Sequence, residues 1–187
     1  MATPPNVPAI GFCVYVKRIR QEHGHGQPYS RTVSEYQCYW DNQPLPGFAG
    51  QMVEVGGHGD NSSHGSHKHV RIEARTKPYP LAIQEGDSYV TYNYDHHEKL
   101  PGLLLEDTGS RTGILIHPCH DAAGYLSSIG CFNPGHGLVD ATSRIDLADS
   151  KARVVALINE LSARLGAAFP KHGTIPHAVV VVEGEPS

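Results

Sequence analysis

The chemistry-bearing part of this chain is the segment 112–133, T-G-I-L-I-H-P-C-H-D-A-A-G-Y-L-S-S-I-G-C-F-N. A short apolar run, Ile114 to Ile116, ends in His117. A loop later come Gly130 and Cys131. A cysteine becomes an acyl-transfer nucleophile when three things meet: a base or cation that makes thiolate, a small neighbour that lets a carbonyl approach, and N–H donors for the oxyanion. His117 supplies a base and Gly130 the close approach. The backbone amides around Gly130 and Cys131 supply donors. A Cys131 doing this work is expected to titrate below the ~8.5 of an ordinary thiol.

Each residue also has a plainer reading. Cys131 fits a buried small hydrophobe, and His117 a strand-end ring bonded to backbone. Gly130 suits a turn with positive φ, Ser128 a turn cap, and Asn133 before Pro134 and Gly135 a turn. A metal reading competes, since His117, Cys119, His120, Cys131 and His136 are zinc-ligand types, but they show no standard ligand spacing. A Cys119–Cys131 disulfide would block the nucleophile. No metal or cofactor is expected. The His-rich stretch 56–69, with His58, His64, His67 and His69, is at most a weak metal ligand and reads first as a solvated loop. His96 and His97 point apart if extended. Tyr89, Tyr92 and Tyr94 suit a sheet face or, less simply, a sugar platform. Glu106 and Asp107 are adjacent, and nothing sets them across a cleft as a glycosidase requires.

These residues need a scaffold. Period-two alternation predicts strands over 10–19, 33–40, 69–74 and 88–94, with short apolar strands at 51–55, 103–105 and 113–117 and a last one at 178–182. Residues 42–50, with two prolines and two glycines, read as a turn. Residues 1–9 read as a flexible arm and 10–187 as one domain. One helix stands out: Asp149 or Ser150 caps it, Val154, Val155, Ile158, Leu161 and Leu165 form its apolar stripe, and Gly166 ends it. The expected fold is mainly β, a single antiparallel sandwich or open barrel with one principal C-terminal helix.

Composition agrees. Gly (20) and Pro (14) are abundant among the 187 residues, which disfavours a helical bundle. A net charge of −4 without a basic block disfavours nucleic acid. No apolar run reaches the ~18 residues of a membrane span. The first ten residues lack the basic and apolar parts of a secretory signal. Synthesis in the cytoplasm and four reduced thiols, Cys13, Cys38, Cys119 and Cys131, are therefore expected.

The run S-I-G-C-F-N at 128–133, set after His117, resembles the S/T-H-G-C motif of YkuD-type L,D-transpeptidases. His117, Ser128, Gly130, Cys131 and Asn133 match, whereas Ile129 stands where that family has His. Over about 50–166, the runs R-T-G-I-L-I-H-P, S-I-G-C and D-S-K-A-R-V-V-A-L-I also look like a family of uncharacterised domains found in phages and near type VI secretion genes. The resemblance implies acyl transfer on peptidoglycan stem peptides, with Cys131 as nucleophile and His117 as base. It implies substrate contacts from Ser128 and Asn133 and delivery to the periplasm or cell wall by a phage or secretion particle. Arg111 or Arg144 then suits the substrate carboxylate. The alternative is a non-enzymatic structural or self-assembling component that keeps the fold, which Ile129 favours.

Overall fold

The computed structural model describes residues 4, 6–62, 70–84, 91–93, 98–120, 123–128 and 130–186. His64, His67 and His69, His96 and His97, Tyr89 and Tyr94, and Ile129 lie outside the described residues.

Three long strands follow one another: β1 (Phe12–Glu22), β2 (Arg31–Trp40) and β3 (Gln43–Val55). Alternation in β1 sends Phe12, Val14 and Val16 to the main core and Cys13 and Tyr15 to the other face. Asp41 and Asn42 both hold positive φ, 47° and 64°, between the paired residues Trp40 and Gln43. Such a two-residue turn matches the twist of its strands. The turn is thus at 41–42, and β3 extends through the segment expected to be a turn, its register against β2 shifting between the Tyr39–Pro44 and Gln37–Ala49 pairs. Its prolines are tolerated for a physical reason. The strand β12 (Asn133–Gly135) covers β3 only at Gln51–Val53. Pro44 and Pro46 therefore stand on an open edge, where a missing N–H breaks no ladder.

The sheet continues on the other side of β1. β14 (His172–Glu183) lies parallel to β1, then come β6 (Tyr79–Gln84), β9 (Leu103–Leu105) and β10 (Leu115–Ile116). Sequence periodicity does not announce β6, because Pro80 interrupts it. The register of β14 against β6 shifts between Thr174 and Val179, and Pro80 sits opposite Val179 at that irregularity. The order of the eight strands is β10-β9-β6-β14-β1-β2-β3-β12. A parallel bridge between Ile116 and Phe132 brings its two ends together, giving a nearly closed, barrel-like sheet.

Small pairs flank it: β4 (His58–Gly59) with β5 (Val70–Arg71), β7 (Thr91–Asn93) with β8 (Glu98–Leu100), and β11 (Ala123–Gly124) with β13 (Ile145–Asp146). The helix α1 (Leu147–Leu165) packs Val154, Leu157 and Leu161 into the main core. Val155, expected in the stripe, is 37% exposed, and Leu157 takes that place. The cap is Asp146, whose carboxylate accepts from the Asp149 N–H at 2.8 Å. Gly166 terminates the helix with φ 52°. In the expected N-terminal arm, Val7 is buried against Cys13, Tyr15, Tyr39 and Val181.

Candidate active site

The candidate residues sit at the seam of the sheet. His117 N–H donates to the Phe132 carbonyl at 3.0 Å, and Phe132 N–H donates to the Leu115 carbonyl at 2.8 Å. This pair of bonds sets the end of β10 beside the residue that follows Cys131. His117 and Cys131 thereby line one cleft of about 330 Å³, together with Arg111, Gly113, Ser128 and Gly130. That volume suits a small ligand or a short piece of peptide.

Cys131 is half-buried. Its Sγ accepts from the Leu115 N–H at 3.3 Å and lies 3.5 Å from the Gly113 carbonyl. Burial pushes the thiol up to about 11, against the opposing pull of the Leu115 N–H, the Arg111 cation and Ser128. The expected depressed thiol is not what the structure has. Desolvation outweighs every group that favours thiolate, so the resting sulfur is protonated at neutral pH.

His117 is buried at 1% exposure. Its Nδ1 stands 2.6 Å from the Pro118 carbonyl, so Nδ1 carries the proton and Nε2 keeps its lone pair. Burial, helped by the neighbouring His120 ring, lowers the imidazole to about 3, against the pull of the Pro118 carbonyl. The His120 ring meets it edge-on at 5.1 Å between centroids and also lines the cleft. Sequence reasoning weighed His120 only as a metal ligand. Its position three residues after His117, on the same strand-end loop, was the available signal. Among the described residues no hydrogen bond joins the His117 ring to Cys131.

Asn133 is fully buried on β12 rather than set in a turn. Its side-chain amide donates to the His117 carbonyl at 3.0 Å and lies 3.3 and 3.4 Å from the two ring nitrogens. It does not line the cleft, so its place is behind the imidazole and not on a substrate. Ser128 holds the loop that carries Cys131. Its Oγ accepts from the Cys131 N–H at 3.1 Å and is within reach of the Cys131 carbonyl at 3.0 Å and Asn133 Oδ1 at 3.3 Å. The Cys131 amide, expected as an oxyanion donor, is therefore engaged by Ser128.

Gly130 is glycine because of a close approach, not a positive φ. A Cβ there would meet Arg111 Nη2 at 2.5 Å and Ile114 Cδ1 at 3.1 Å. Arg111 is 1% exposed. Burial lowers its guanidinium, which Glu54 and Cys131 counteract. The cation beside the sulfur is thus an arginine held against Gly130.

Other candidates lie elsewhere. Arg144 is exposed, donates to the Thr142 and Ser143 carbonyls and rests over the Tyr125 ring, away from the cleft lining. Cys119 points its thiol to the Ile145 carbonyl in a separate apolar cluster with Val33 and Val53. His58 is exposed on β4 and His136 is exposed after β12. Among the described residues no three His, Cys, Asp or Glu side chains are grouped to hold a metal. All four cysteines are thiols. No helix among the described residues is long and apolar enough to cross a membrane. No protein-family model, curated protein or solved structure matches the chain.

Proposed function

We propose that this protein is a cysteine acyl-transfer enzyme of the L,D-transpeptidase-like class acting on peptidoglycan stem peptides. One observation carries the mechanism: Cys131 and His117 line one cleft, with Asn133 fixing the imidazole from behind. The substrate class rests on the resemblance of S-I-G-C-F-N. In the reaction Sγ bonds to the peptide carbonyl carbon while Nε2 of His117 takes the thiol proton. The C–N bond then breaks, and the amine leaves with that proton. A thioester remains on Cys131. Water resolves it to a shortened peptide, and a second stem amine resolves it to a cross-link. Hydrolysis is the favoured course for a protein delivered by a phage or secretion particle. Arg111 serves the sulfur and, through the cleft, a substrate carboxylate. A base held near 3 takes a proton from a thiol near 11 inefficiently.

Those same two values favour a second reading, a structural component that keeps the fold, as does Ile129. Mass analysis of tetrapeptide muropeptides separates the two. With the wild type, and not with Cys131→Ala, loss of the terminal D-residue or dimer formation is expected. Unchanged muropeptides with folded, reduced wild type would leave the structural reading.

A further inference from the structure

The face of β1, β2 and β3 turned away from the main core carries a groove of about 710 Å³. That volume is within the range of small-molecule sites. The groove shares no lining residue with the Cys131 cleft. We propose that it binds an uncharged oligosaccharide, with Tyr39, Lys17 and Glu35 as its polar contacts.

The groove is built into the sheet. Gln37 pairs with Ala49 and Tyr39 with Pro44, so Leu45 to Phe48 stand opposite the single residue Cys38. Bulges of this kind bend a strand and re-aim its side chains, and Pro44 and Ala49 on either side of this one line the groove. The Gln37 amide holds the bulge, donating to the carbonyls of Cys38 at 2.8 Å and Leu45 at 3.0 Å. The two ends are pinned as well. Pro4 stands toward β14, and two residues on the Asn6 amide donates to Glu183 Oε1 at 2.9 Å. His136 stands beyond β3, and two residues on the Leu138 N–H donates to Gln51 Oε1 at 2.7 Å. The groove is therefore preformed.

Its chemistry selects the ligand. Tyr39 is 8% exposed, lines the groove and makes no hydrogen bond to any described residue. Tyr15, on the same face of β1, differs, because its hydroxyl donates to Glu183. Burial raises the Tyr39 pKa above that of an ordinary phenol, so its hydroxyl stays a donor. A hydroxyl this buried calls for a partner, and a ligand in the groove supplies one. Lys17 and Glu35 face each other across β1 and β2, yet their side chains form no ion pair with each other or with any other described residue. A carboxylate in the groove meets Glu35 and an amine meets Lys17, so neither charge is favoured. Sugar hydroxyls both donate and accept, and so satisfy ammonium, carboxylate and phenol alike. The C–H faces of a sugar ring match Pro44, Ala49 and the Tyr15 ring.

The test uses the full chain, with cellotriose and tri-N-acetylchitotriose as probes and trialanine as the zwitterionic peptide control. In titration calorimetry at least one sugar is expected to bind the wild type with a Kd of about 1 mM or tighter. Tyr39→Phe, which removes only the hydroxyl, and Glu35→Ala, at an exposed position, should each weaken that sugar roughly 3–10-fold while melting as folded proteins. Backbone amide NMR shifts should move in β1 to β3 and not around Cys131. Failure of both sugars to bind the wild type, unchanged affinity in either folded variant, or shifts confined to the Cys131 cleft overturns the site. Trialanine binding as tightly as the better sugar overturns its assignment to glycans.

Discussion

The side-chain amide of Asn133 donates to the main-chain carbonyl of His117 at 3.0 Å, across the seam where the two ends of the sheet meet. It also stands within 3.4 Å of both ring nitrogens. Asn133→Ala should cost about 1–3 kcal/mol by leaving buried carbonyls short of a donor. If it positions the imidazole, kcat should fall with KM nearly unchanged. Denaturant unfolding and steady-state kinetics measure the two effects separately. A loss of stability alone would make Asn133 a purely structural residue.

Gly130→Ala places a methyl group 2.5 Å from Arg111 Nη2. The guanidinium lies at the end of a flexible side chain, but it is buried, so moving it costs about 1–3 kcal/mol. The shift also takes the cation away from the sulfur. Melting temperature should fall and alkylation of Cys131 at fixed pH should slow. A wild-type rate would show that Arg111 does not act on the thiol.

The pH dependence of alkylation reads the thiol directly. Iodoacetamide rates at Cys131 should climb to a midpoint near 11, because burial dominates. In Arg111→Met the midpoint should climb further, since a lost cation disfavours thiolate. Turnover behaves differently. If His117 takes the proton during attack, the rate is flat from about pH 5 to 9. A tenfold rise per pH unit would mean that pre-formed thiolate reacts instead.

His117 ties stability to pH. Its folded value of about 3 lies below the ~6.5 of the unfolded chain. The unfolded state thus binds the proton first as pH falls. The stability of the neutral, buried ring is fully present above pH ~6.5 and is lost as pH drops toward 3, at no more than roughly 1.4 kcal/mol per unit. Urea unfolding at several pH values should show this slope in wild type and not in His117→Gln. Parallel slopes would place the acid sensitivity elsewhere.

Much of this structure was readable from spacing. Alternation located β1, β2 and the end of β14, and the stripe with its closing glycine located α1. Reading failed where tertiary placement overrides local preference. Proline marks β3 and β6 as broken, yet one stands on an open edge and the other at a register shift. The helix stripe held at Val154, Ile158, Leu161 and Leu165 and differed only in Leu157 standing for Val155, while the cap moved to Asp146 from Asp149 or Ser150. At the site, the placing of His117 and Cys131 on one cleft was legible as a strand end and a glycine-preceded thiol. Asn133 was not, since its role depends on the seam bridge from Ile116 to Phe132. Nor was the burial of Arg111, which depends on the close approach that Gly130 permits.

The central claim is that Cys131 forms a thioester with a stem peptide. Intact-protein mass spectrometry after rapid acid quench tests it most directly. Wild type mixed with a tetrapeptide muropeptide should carry the acyl fragment on the peptide containing Cys131, and His117→Gln should carry far less. Cys131→Ala should carry none. An unmodified wild type, folded and fully reduced, with no shortened or dimeric muropeptide formed, would contradict the account.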